Sequence, residues 1–195
     1  MPSAEAGDAP GSELPVFTPT GEETVHRGWV IRVQRATFLD PDGVAFERDI
    51  VRHPGAVAVV AVTDARTVVL CRQYRPAVDQ WLLEIPAGTC DVDGEPFEQT
   101  ARRELAEEVG YAADRFDLLT RTAITPGFCD EYTNIYLATG LRAVPSDRHG
   151  AEERFMQVVE VSLERFDAMV DNGSIVDAST ILGVGLAVRR LAATG

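Results

Sequence analysis

The stretch EPFEQTARRELAEEVGY, residues 95–111, predicts a helix that ends at a glycine. Pro96 suits the first turn of a helix, where its missing N–H has no partner to lose, and Gly110 suits the position just past the last turn. The apolar residues between them recur at every fourth position, which predicts a stripe that faces a core. This stripe consists of Phe97, Ala101, Leu105 and Val109.

Three glutamates crowd one edge of the predicted helix. Glu104 and Glu108 are four residues apart, and Glu107 lies three residues from Glu104, so all three lie close together. Like charges at this spacing repel by a few tenths of a kcal/mol per pair, and the negative end of the helix dipole adds to the repulsion. Arg102 and Arg103 offer partial relief. The cluster therefore indicates either a solvated acidic face with local salt bridges or a cation site.

A cation site of this composition favours Mg²⁺, which prefers oxygen ligands and is usually held by one or two carboxylates together with substrate phosphates. In that interpretation the bound metal offsets the repulsion between the glutamates. A purely structural acidic helix is the alternative.

Length and charge limit the classes of function. The chain has 195 residues, enough for one domain with a small extension. A net charge of −13 argues against nucleic acid as a partner. No apolar run approaches the roughly 18 residues of a membrane span, so we expect no membrane partner.

The N-terminal residues and the cysteines indicate a cytoplasmic protein. The sequence MPSAEAGDAPGSEL has neither the basic nor the apolar segment of a secretory signal and is typical of a disordered tail. Cys71, Cys90 and Cys129 have no zinc-binding spacing and no disulfide pattern, as expected for free thiols in a reducing compartment.

Short β-rich runs are mixed with three helices without a regular βαβ alternation, which predicts an α+β fold with a mixed sheet. The predicted strands are 28–38, 44–52, 56–62, 67–75, 81–86, 116–124, 134–141 and 155–163. Further helices are predicted over 163–173 and 177–193, the latter with Asp177 as its N-cap. Residues 87–95 are predicted to be a glycine-rich loop, and 142–154 a long polar loop.

The helix and the residues before it resemble the Nudix box, whose pattern is G-x5-E-x7-R-E-U-x-E-E-x-G-U with U an apolar residue. From Glu95 to Tyr111 every fixed position of the pattern is matched. One departure is visible, because six residues rather than five separate Gly88 from Glu95. The extra residue lies in the loop before the helix and leaves the helix carboxylates in register.

Three further segments are similar to the ADP-ribose pyrophosphatase branch of the Nudix hydrolases. They are HPGAVAVVAV, residues 53–62, CRQYRPAVDQWLLEIPAG, residues 71–88, and TPGFCDEYTNIYLATGL, residues 125–141. Pro126 stands fifteen residues after Tyr111, as in that branch. The resemblance implies the Nudix fold, an α/β/α sandwich with a mixed sheet, plus a small N-terminal β extension.

The resemblance also implies a domain plan. We expect a disordered tail over 1–20, the N-terminal β extension over 21–55 and the Nudix hydrolase domain over 56–195. Relatives in this branch are homodimers that exchange the extension, so a homodimer is expected.

The chemistry implied by the resemblance is metal-dependent hydrolysis of ADP-ribose to AMP and ribose 5-phosphate. Glu104, Glu107, Glu108 and the backbone carbonyl of Ala87 are the implied ligands of Mg²⁺, for which Mn²⁺ is a possible substitute. Arg103 is implied to orient these glutamates through charge-assisted hydrogen bonds.

The same branch takes its general base from a later loop. Here that loop contains AEER, and either Glu153 or Glu152 is the implied base. The sequence leaves open which of the two it is.

Substrate contacts are implied in several segments. Arg75 resembles the arginine that grips the pyrophosphate, and Glu84 is expected to contact the substrate or Arg75. Glu131 is expected near the ribose or a neighbouring loop. The residues implied for the adenine pocket, each with core packing as an alternative, are Arg52, Phe46 and Trp29.

Two other functions stay open. One is Nudix hydrolysis of another substrate, such as a GDP-sugar, a diadenosine polyphosphate or a reduced dinucleotide. The other is a non-catalytic Nudix ligand sensor, which the intact box glutamates disfavour.

Overall fold

The computed structural model describes residues 14–193 and divides into two compact units, with the boundary between Arg52 and His53. Most of the tail expected over 1–20 lies outside the described residues. Its last three residues, 18–20, belong to a strand.

The N-terminal unit is a three-stranded antiparallel sheet in the order β1-β2-β3. Its strands are β1 Thr18–Arg27, β2 Arg32–Leu39 and β3 Ala45–Arg52. The sequence DPDG, residues 40–43, forms the hairpin turn between β2 and β3: Asp40 Oδ1 accepts hydrogen bonds from the N–H groups of Asp42 and Val44, and Gly43 has φ +82°. β1 was not predicted, because TPTGEETVHR lacks an apolar alternation and the strand is exposed along its whole length.

The C-terminal unit is built on a seven-stranded sheet with the order β10-β5-β4-β9-β8, to which β6 is added beside β5 and β7 beside β4. Its strands are β4 Ala56–Val62, β5 Thr67–Arg75, β6 Gln80–Glu84, β7 Ala87–Thr89, β8 Tyr111–Ala123, β9 Tyr132–Ala143 and β10 Gln157–Ser162. β4 and β9 run parallel and the other pairs antiparallel, so the predicted mixed sheet is confirmed.

Helices cover both faces of this sheet. They are α1 Phe97–Val109, α2 Leu163–Asp171 and α3 Ala178–Ala192, with a short 3₁₀ turn at Glu153–Phe155. Val59 of β4 packs in one cluster with Leu105 of α1, while Val60 packs in the other with Phe166 of α2 and Val184 of α3. The alternation along β4 makes it a strand buried on both faces, and the arrangement is the expected α/β/α sandwich.

Some local predictions were wrong. Residues 87–89, predicted as loop, form β7. Strand β4 pairs with β5 only at its C-terminal end, at Ala61 and Val62, and its N-terminal end, residues 56–58, pairs with β7 instead. β2 begins at Arg32, since residues 28–31 form a turn. Phe97 is 43% exposed and does not belong to the buried stripe of α1.

Among residues 14–193, no helix has both the length and the apolar character needed to cross a membrane.

Candidate active site

Helix α1 has the ends that its sequence predicted. Pro96 is its N-cap residue, and Gly110 follows its last turn with φ +72°, the left-handed region that favours glycine. In the first turn the buried Thr100 donates its hydroxyl hydrogen bond to Glu95 Oε2 at 2.8 Å. This hydrogen bond, followed by that of Arg103, lowers the pKa of Glu95.

A single guanidinium lies among the glutamates of α1. Arg103 Nη1 donates to Glu104 Oε1 at 2.7 Å and to Glu107 Oε2 at 3.0 Å, and Nη2 lies 3.3 Å from Glu95 Oε2. Burial disfavours the charged form of Arg103, but the negative charges and hydrogen bonds of these glutamates outweigh it and raise its pKa. The like charges of the helix are therefore partly compensated within the chain.

Glu108 lies on the sheet side of the cluster. Its side chain is buried, and Oε2 accepts a hydrogen bond from the N–H of Ala87 at 3.0 Å. Burial raises the pKa of Glu108 to about 8; the Ala87 hydrogen bond opposes this, whereas the charges of Glu104 and Glu153 add to it. Burial also raises the pKa of Glu104, against the influence of Arg103. Burial thus favours the protonated forms of Glu108 and Glu104.

Gly88 allows strand β7 to approach helix α1 closely. A Cβ atom at this position would overlap the side chain of Glu104. The segment is fixed from behind by pairing of β7 with β4, where Gly88 lies opposite Val57. A side chain larger than hydrogen at position 88 therefore cannot coexist with the observed position of Glu104.

A cavity of about 420 Å³ is lined in part by Ala87 and Gly88, the two residues that lie against Glu108 and Glu104. Arg75, Glu84, Ala87, Gly88 and Glu131 are among the residues that line it. Arg75 Nε donates to both carboxylate oxygens of the buried Glu84, at 2.9 and 3.0 Å, and Nη2 also contacts Glu84. The hydrogen bond with Glu84 raises the pKa of Arg75, although burial opposes it. Nη1 of Arg75 is not part of this pair.

The polar loop after β9 places the side chains of its two adjacent glutamates, Glu152 and Glu153, in different surroundings. Glu153 Oε2 accepts hydrogen bonds from the N–H groups of His149 and Gly150, each at 3.0 Å. Its charge raises the pKa of both Glu104 and Glu108, so it lies within electrostatic range of the helix. Glu152 is exposed and lines a different, apolar cavity of about 230 Å³, which is bounded by Tyr74, Trp81, Ala151 and Phe155.

Comparison with known proteins agrees with this arrangement. Residues 52–178 match the NUDIX domain, which is more than half of the chain. The chain belongs to the Nudix family. The resemblance drawn from the box is thereby confirmed, and so is the fold that it implied.

Curated relatives cover most of this Nudix protein. The ADP-ribose pyrophosphatase of Bacillus subtilis (strain 168) is 38% identical over 84% of this chain and 88% of its own length. That of Mycobacterium tuberculosis (strain ATCC 25618 / H37Rv) is 39% identical over 86% of this chain and 81% of its own. Other matching relatives are named as ADP-sugar and GDP-mannose pyrophosphatases.

A solved structure confirms the fold. The crystal structure of an ADP compounds hydrolase matches this fold with a TM-score of 0.83, over 95% of this chain and 99% of the matched chain. Its sequence is only 23% identical, so the likeness concerns the fold alone.

Nudix hydrolases generally use a divalent metal, and the donors present here have the chemistry for one. Carboxylate oxygens are the ligands that Mg²⁺ and similar hard cations take, and the glycine at position 88 allows the Glu104 carboxylate to lie against the backbone of β7. Within residues 14–193, no three acidic, histidine or cysteine side chains converge on one point that would hold an ion. Glu104 and Glu107 point instead to Arg103. The carboxylates therefore fit a divalent cation in their chemistry, while two of them are paired with Arg103 in this structure.

Several cavity residues were missed by sequence reasoning. His53, Thr133, Asp177 and Ser179 line the cavity together with the residues that the resemblance suggested. His53 Nδ1 accepts a hydrogen bond from the N–H of Gly55 at 3.1 Å. No spacing signal in the sequence connects these residues, because they come from three separate segments. Thr133 Oγ1 donates to Glu131 Oε1 at 3.1 Å and so fixes that carboxylate at the cavity wall.

Asp177 is the N-cap of α3, as predicted, and has a second connection. Its Oδ2 accepts hydrogen bonds from both the N–H and the hydroxyl of Thr180, each at 2.7 Å. Thr180, which is fully buried, accepts in turn from the N–H of Ile85 at 2.8 Å. The segment that leads into β7, the strand of Ala87 and Gly88, is thereby connected to α3.

The three residues implied for an adenine pocket all lie in the N-terminal unit. Phe46 stacks on Phe38 with ring centroids 5.5 Å apart, and Arg52 pairs with Glu22 at 2.6 Å. Trp29 is fully exposed in the turn between β1 and β2. Trp29 therefore does not pack in the core of this chain, which was the alternative to a role in the adenine pocket.

Proposed function

We propose that this Nudix protein hydrolyses the pyrophosphate of a nucleoside diphosphate derivative, foremost ADP-ribose, to AMP and ribose 5-phosphate. The observation that carries the proposal is a cavity of about 420 Å³ that is lined by the Arg75–Glu84 pair and by Ala87 and Gly88. Ala87 donates its N–H to Glu108, and Gly88 lies against the side chain of Glu104. Cavities of this size are typical of sites that enclose a small molecule. The names of the relatives at 38% and 39% identity support ADP-ribose as the substrate.

The proposed metal ligands are Glu104, Glu107, Glu108 and the backbone carbonyl of Ala87. A divalent ion, Mg²⁺ or in its place Mn²⁺, would polarise the pyrophosphate and lower the pKa of a bound water. Arg103 Nη1 lies 2.7 Å from Glu104 Oε1 and 3.0 Å from Glu107 Oε2, and it so keeps the two carboxylates side by side. Its catalytic contribution is to hold these carboxylates in place against their mutual repulsion.

Glu153 is the better candidate for the general base. Its charge acts on Glu104 and Glu108, and two backbone N–H groups fix its carboxylate. Glu152 lines the apolar cavity instead. In the proposed reaction Glu153 accepts the proton of the attacking water, a role in which position matters more than resting pKa.

Arg75 is proposed to bind the pyrophosphate through Nη1, because Nε and Nη2 are fixed by Glu84. A guanidinium whose other edge is anchored is well suited to gripping a diphosphate. Glu84 then orients Arg75, and Glu131, held by Thr133, is placed to contact ribose hydroxyls.

The adenine contacts and the assembly are proposed together. Trp29, Phe46 and Arg52 supply an aromatic and cationic surface for the base, and the protein acts as a homodimer that exchanges N-terminal units. The exposure of Trp29, Val25 and Val30 supports the dimer, since exposed apolar groups of this kind often mark interaction sites. We further propose a cytoplasmic location, supported by three free cysteines, and no nucleic-acid partner, supported by the net charge of −13.

A substrate panel tests the proposal. The protein is assayed in Mg²⁺ with ADP-ribose, GDP-mannose, a diadenosine polyphosphate and NADH, and products are identified by chromatography. ADP-ribose is expected to give the highest kcat/KM, with AMP as product. Faster hydrolysis of GDP-mannose would reassign the substrate in line with the relatives of that name, and no turnover of any compound would favour a ligand sensor.

A matched variant and a mass measurement complete the test. Glu108→Gln keeps the shape of the side chain and is expected to abolish most activity while the protein stays folded. Light scattering after size-exclusion chromatography is expected to give twice the chain mass of 21.2 kDa.

A further inference from the structure

Arg148 joins two distant backbone carbonyls through one side chain. Its Nε donates to the carbonyl oxygen of Glu108 at 2.7 Å, and its Nη1 donates to that of Met156 at 2.8 Å. Both distances are short for N–H···O bonds, as expected when the donor is charged. The side chain is half-buried. The guanidinium therefore has a defined position rather than a solvated one.

These two contacts close the loop that carries both candidate bases. Arg148 stands before the segment 149–155 and Met156 directly after it, so one guanidinium holds the two ends of the segment together. Inside the segment, Glu153 is fixed by the N–H groups of His149 and Gly150, the two residues next to Arg148. A Cβ at Gly150 would lie 2.6 Å from Glu153 Oε1, which shows how closely the carboxylate approaches this backbone.

The carbonyl of Glu108, which accepts from Arg148, belongs to the last turn of α1. This turn contains no basic residue of its own, although the free carbonyls of a helix C-terminus carry partial negative charge. Arg148 supplies the missing positive charge from the loop. Two backbone hydrogen bonds also join the loop to the end of α1: the N–H of Asp147 donates to the carbonyl oxygen of Glu107 at 3.1 Å, and the N–H of Val144 donates to that of Gly110 at 2.9 Å. The loop is thus attached to the turn that carries Glu107 and Glu108.

We propose that Arg148 is a positioning residue for the reaction: it clamps the segment 149–155 to the end of α1 and so holds Glu153 over the box glutamates. The proposal rests on the proposed function in one respect, that the base comes from this loop. Arginine suits the task because its planar fork reaches two carbonyls in fixed directions, whereas a lysine ammonium is a point charge on a flexible stem.

The test compares Arg148→Met and Arg148→Lys with a control in the same loop, Arg154→Met, whose arginine is exposed. Hydrogen–deuterium exchange of the amides in 149–156 is measured on the free enzyme, and kcat and KM are measured with ADP-ribose. Arg148→Met is expected to speed exchange in this segment and to lower kcat on the order of 10- to 100-fold with little change in KM. Arg148→Lys is expected to fall between Arg148→Met and the wild type, and Arg154→Met to match the wild type.

A double-mutant cycle separates positioning from general destabilisation. If Arg148 acts through Glu153, adding Arg148→Met to Glu153→Gln lowers kcat by no more than about twofold further. A loss as large in that background as in the wild type overturns the proposal, and so does unchanged exchange in 149–156. If the wild type hydrolyses no substrate, the proposed function fails, but the exchange measurement still decides whether the clamp exists.

Discussion

Glu108 accepts a hydrogen bond from the backbone N–H of Ala87 at 3.0 Å, so a buried carboxylate joins helix α1 to strand β7. The bond stabilises the ionised form, yet burial prevails and the pKa of Glu108 is raised to about 8. Because Glu108 is also a proposed metal ligand, its protonation connects folding stability with the proposed binding of a cation.

The first prediction concerns the pH dependence of stability without metal. Because the pKa of Glu108 is higher in the folded than in the unfolded chain, the folded state binds the proton more tightly. This contribution is complete below the unfolded pKa of about 4.3 and is lost as the pH rises through about 8. In EDTA, Tm is expected to fall between these values. Glu108→Gln should flatten that slope, and parallel Tm curves for the two proteins would contradict the assignment.

The second prediction concerns metal addition. Divalent cations bind the ionised carboxylates, so binding must displace the protons that burial favours. Mg²⁺ or Mn²⁺ is expected to raise Tm more at pH 8 than at pH 6, and titration calorimetry in buffers of different ionisation enthalpy should detect proton release. Glu104→Gln combined with Glu108→Gln serves as the control, for which the Tm shift should vanish. An equal shift in that variant would place the cation elsewhere.

The third prediction concerns Gly88. Its Cβ would overlap the side chain of Glu104, so Gly88→Ala must displace either that carboxylate or β7. Activity is expected to fall on the order of 100-fold, because small displacements of catalytic groups are costly. Gly185→Ala is the matched control, since a Cβ there meets no atom within 4 Å in helix α3. It should keep full activity and gain about 0.5–1 kcal/mol of stability. Full activity in Gly88→Ala would show that Glu104 is free to move.

The features that depend on neighbouring residues were predictable from the sequence. Pro96 and Gly110 define the ends of α1 because the first lacks an N–H and the second accepts φ +72°, and both effects are local. The proximity of Glu104 and Glu108 follows from the helical period alone. Strand β4 was predicted with its observed bounds because a strand buried on both faces is a continuous apolar run.

The features that depend on long-range contacts were not predictable. β7 is a strand only because β4, some thirty residues earlier, leaves space beside it where β5 diverges. Thr180 and Ile85 are separated by 95 positions, and Arg148 and Glu108 by 40. No local pattern indicates that either pair meets. Glu152 and Glu153 are adjacent, yet the carboxylate of Glu153 accepts from the backbone of residues 149 and 150, within electrostatic range of Glu104 and Glu108, whereas Glu152 lines an apolar cavity.

The fourth prediction concerns Thr180. Its hydroxyl accepts from the N–H of Ile85 and donates to Asp177, and the residue is fully buried. Thr180→Val keeps the shape but leaves a buried N–H without a partner, which costs about 1–3 kcal/mol of unfolding free energy. Urea unfolding should detect this loss, while Thr180→Ser, which keeps the hydroxyl, should lose less. Wild-type stability in Thr180→Val would contradict the role of the hydrogen bonds, and a larger loss in Thr180→Ser than in Thr180→Val would show that packing of the methyl group matters more.

The fifth prediction concerns Arg75 and Glu84. Arg75→Met removes the proposed pyrophosphate contact and also leaves the carboxylate of Glu84, only 4% exposed, without its cation. KM for ADP-ribose is expected to rise about 10-fold or more, and stability to fall by roughly 1–3 kcal/mol. Adding Glu84→Gln removes the buried charge, so the double variant should regain stability but not substrate affinity. If the double variant is as unstable as Arg75→Met, the loss comes from packing of the arginine stem. If KM is unchanged in both, Arg75 does not bind the substrate.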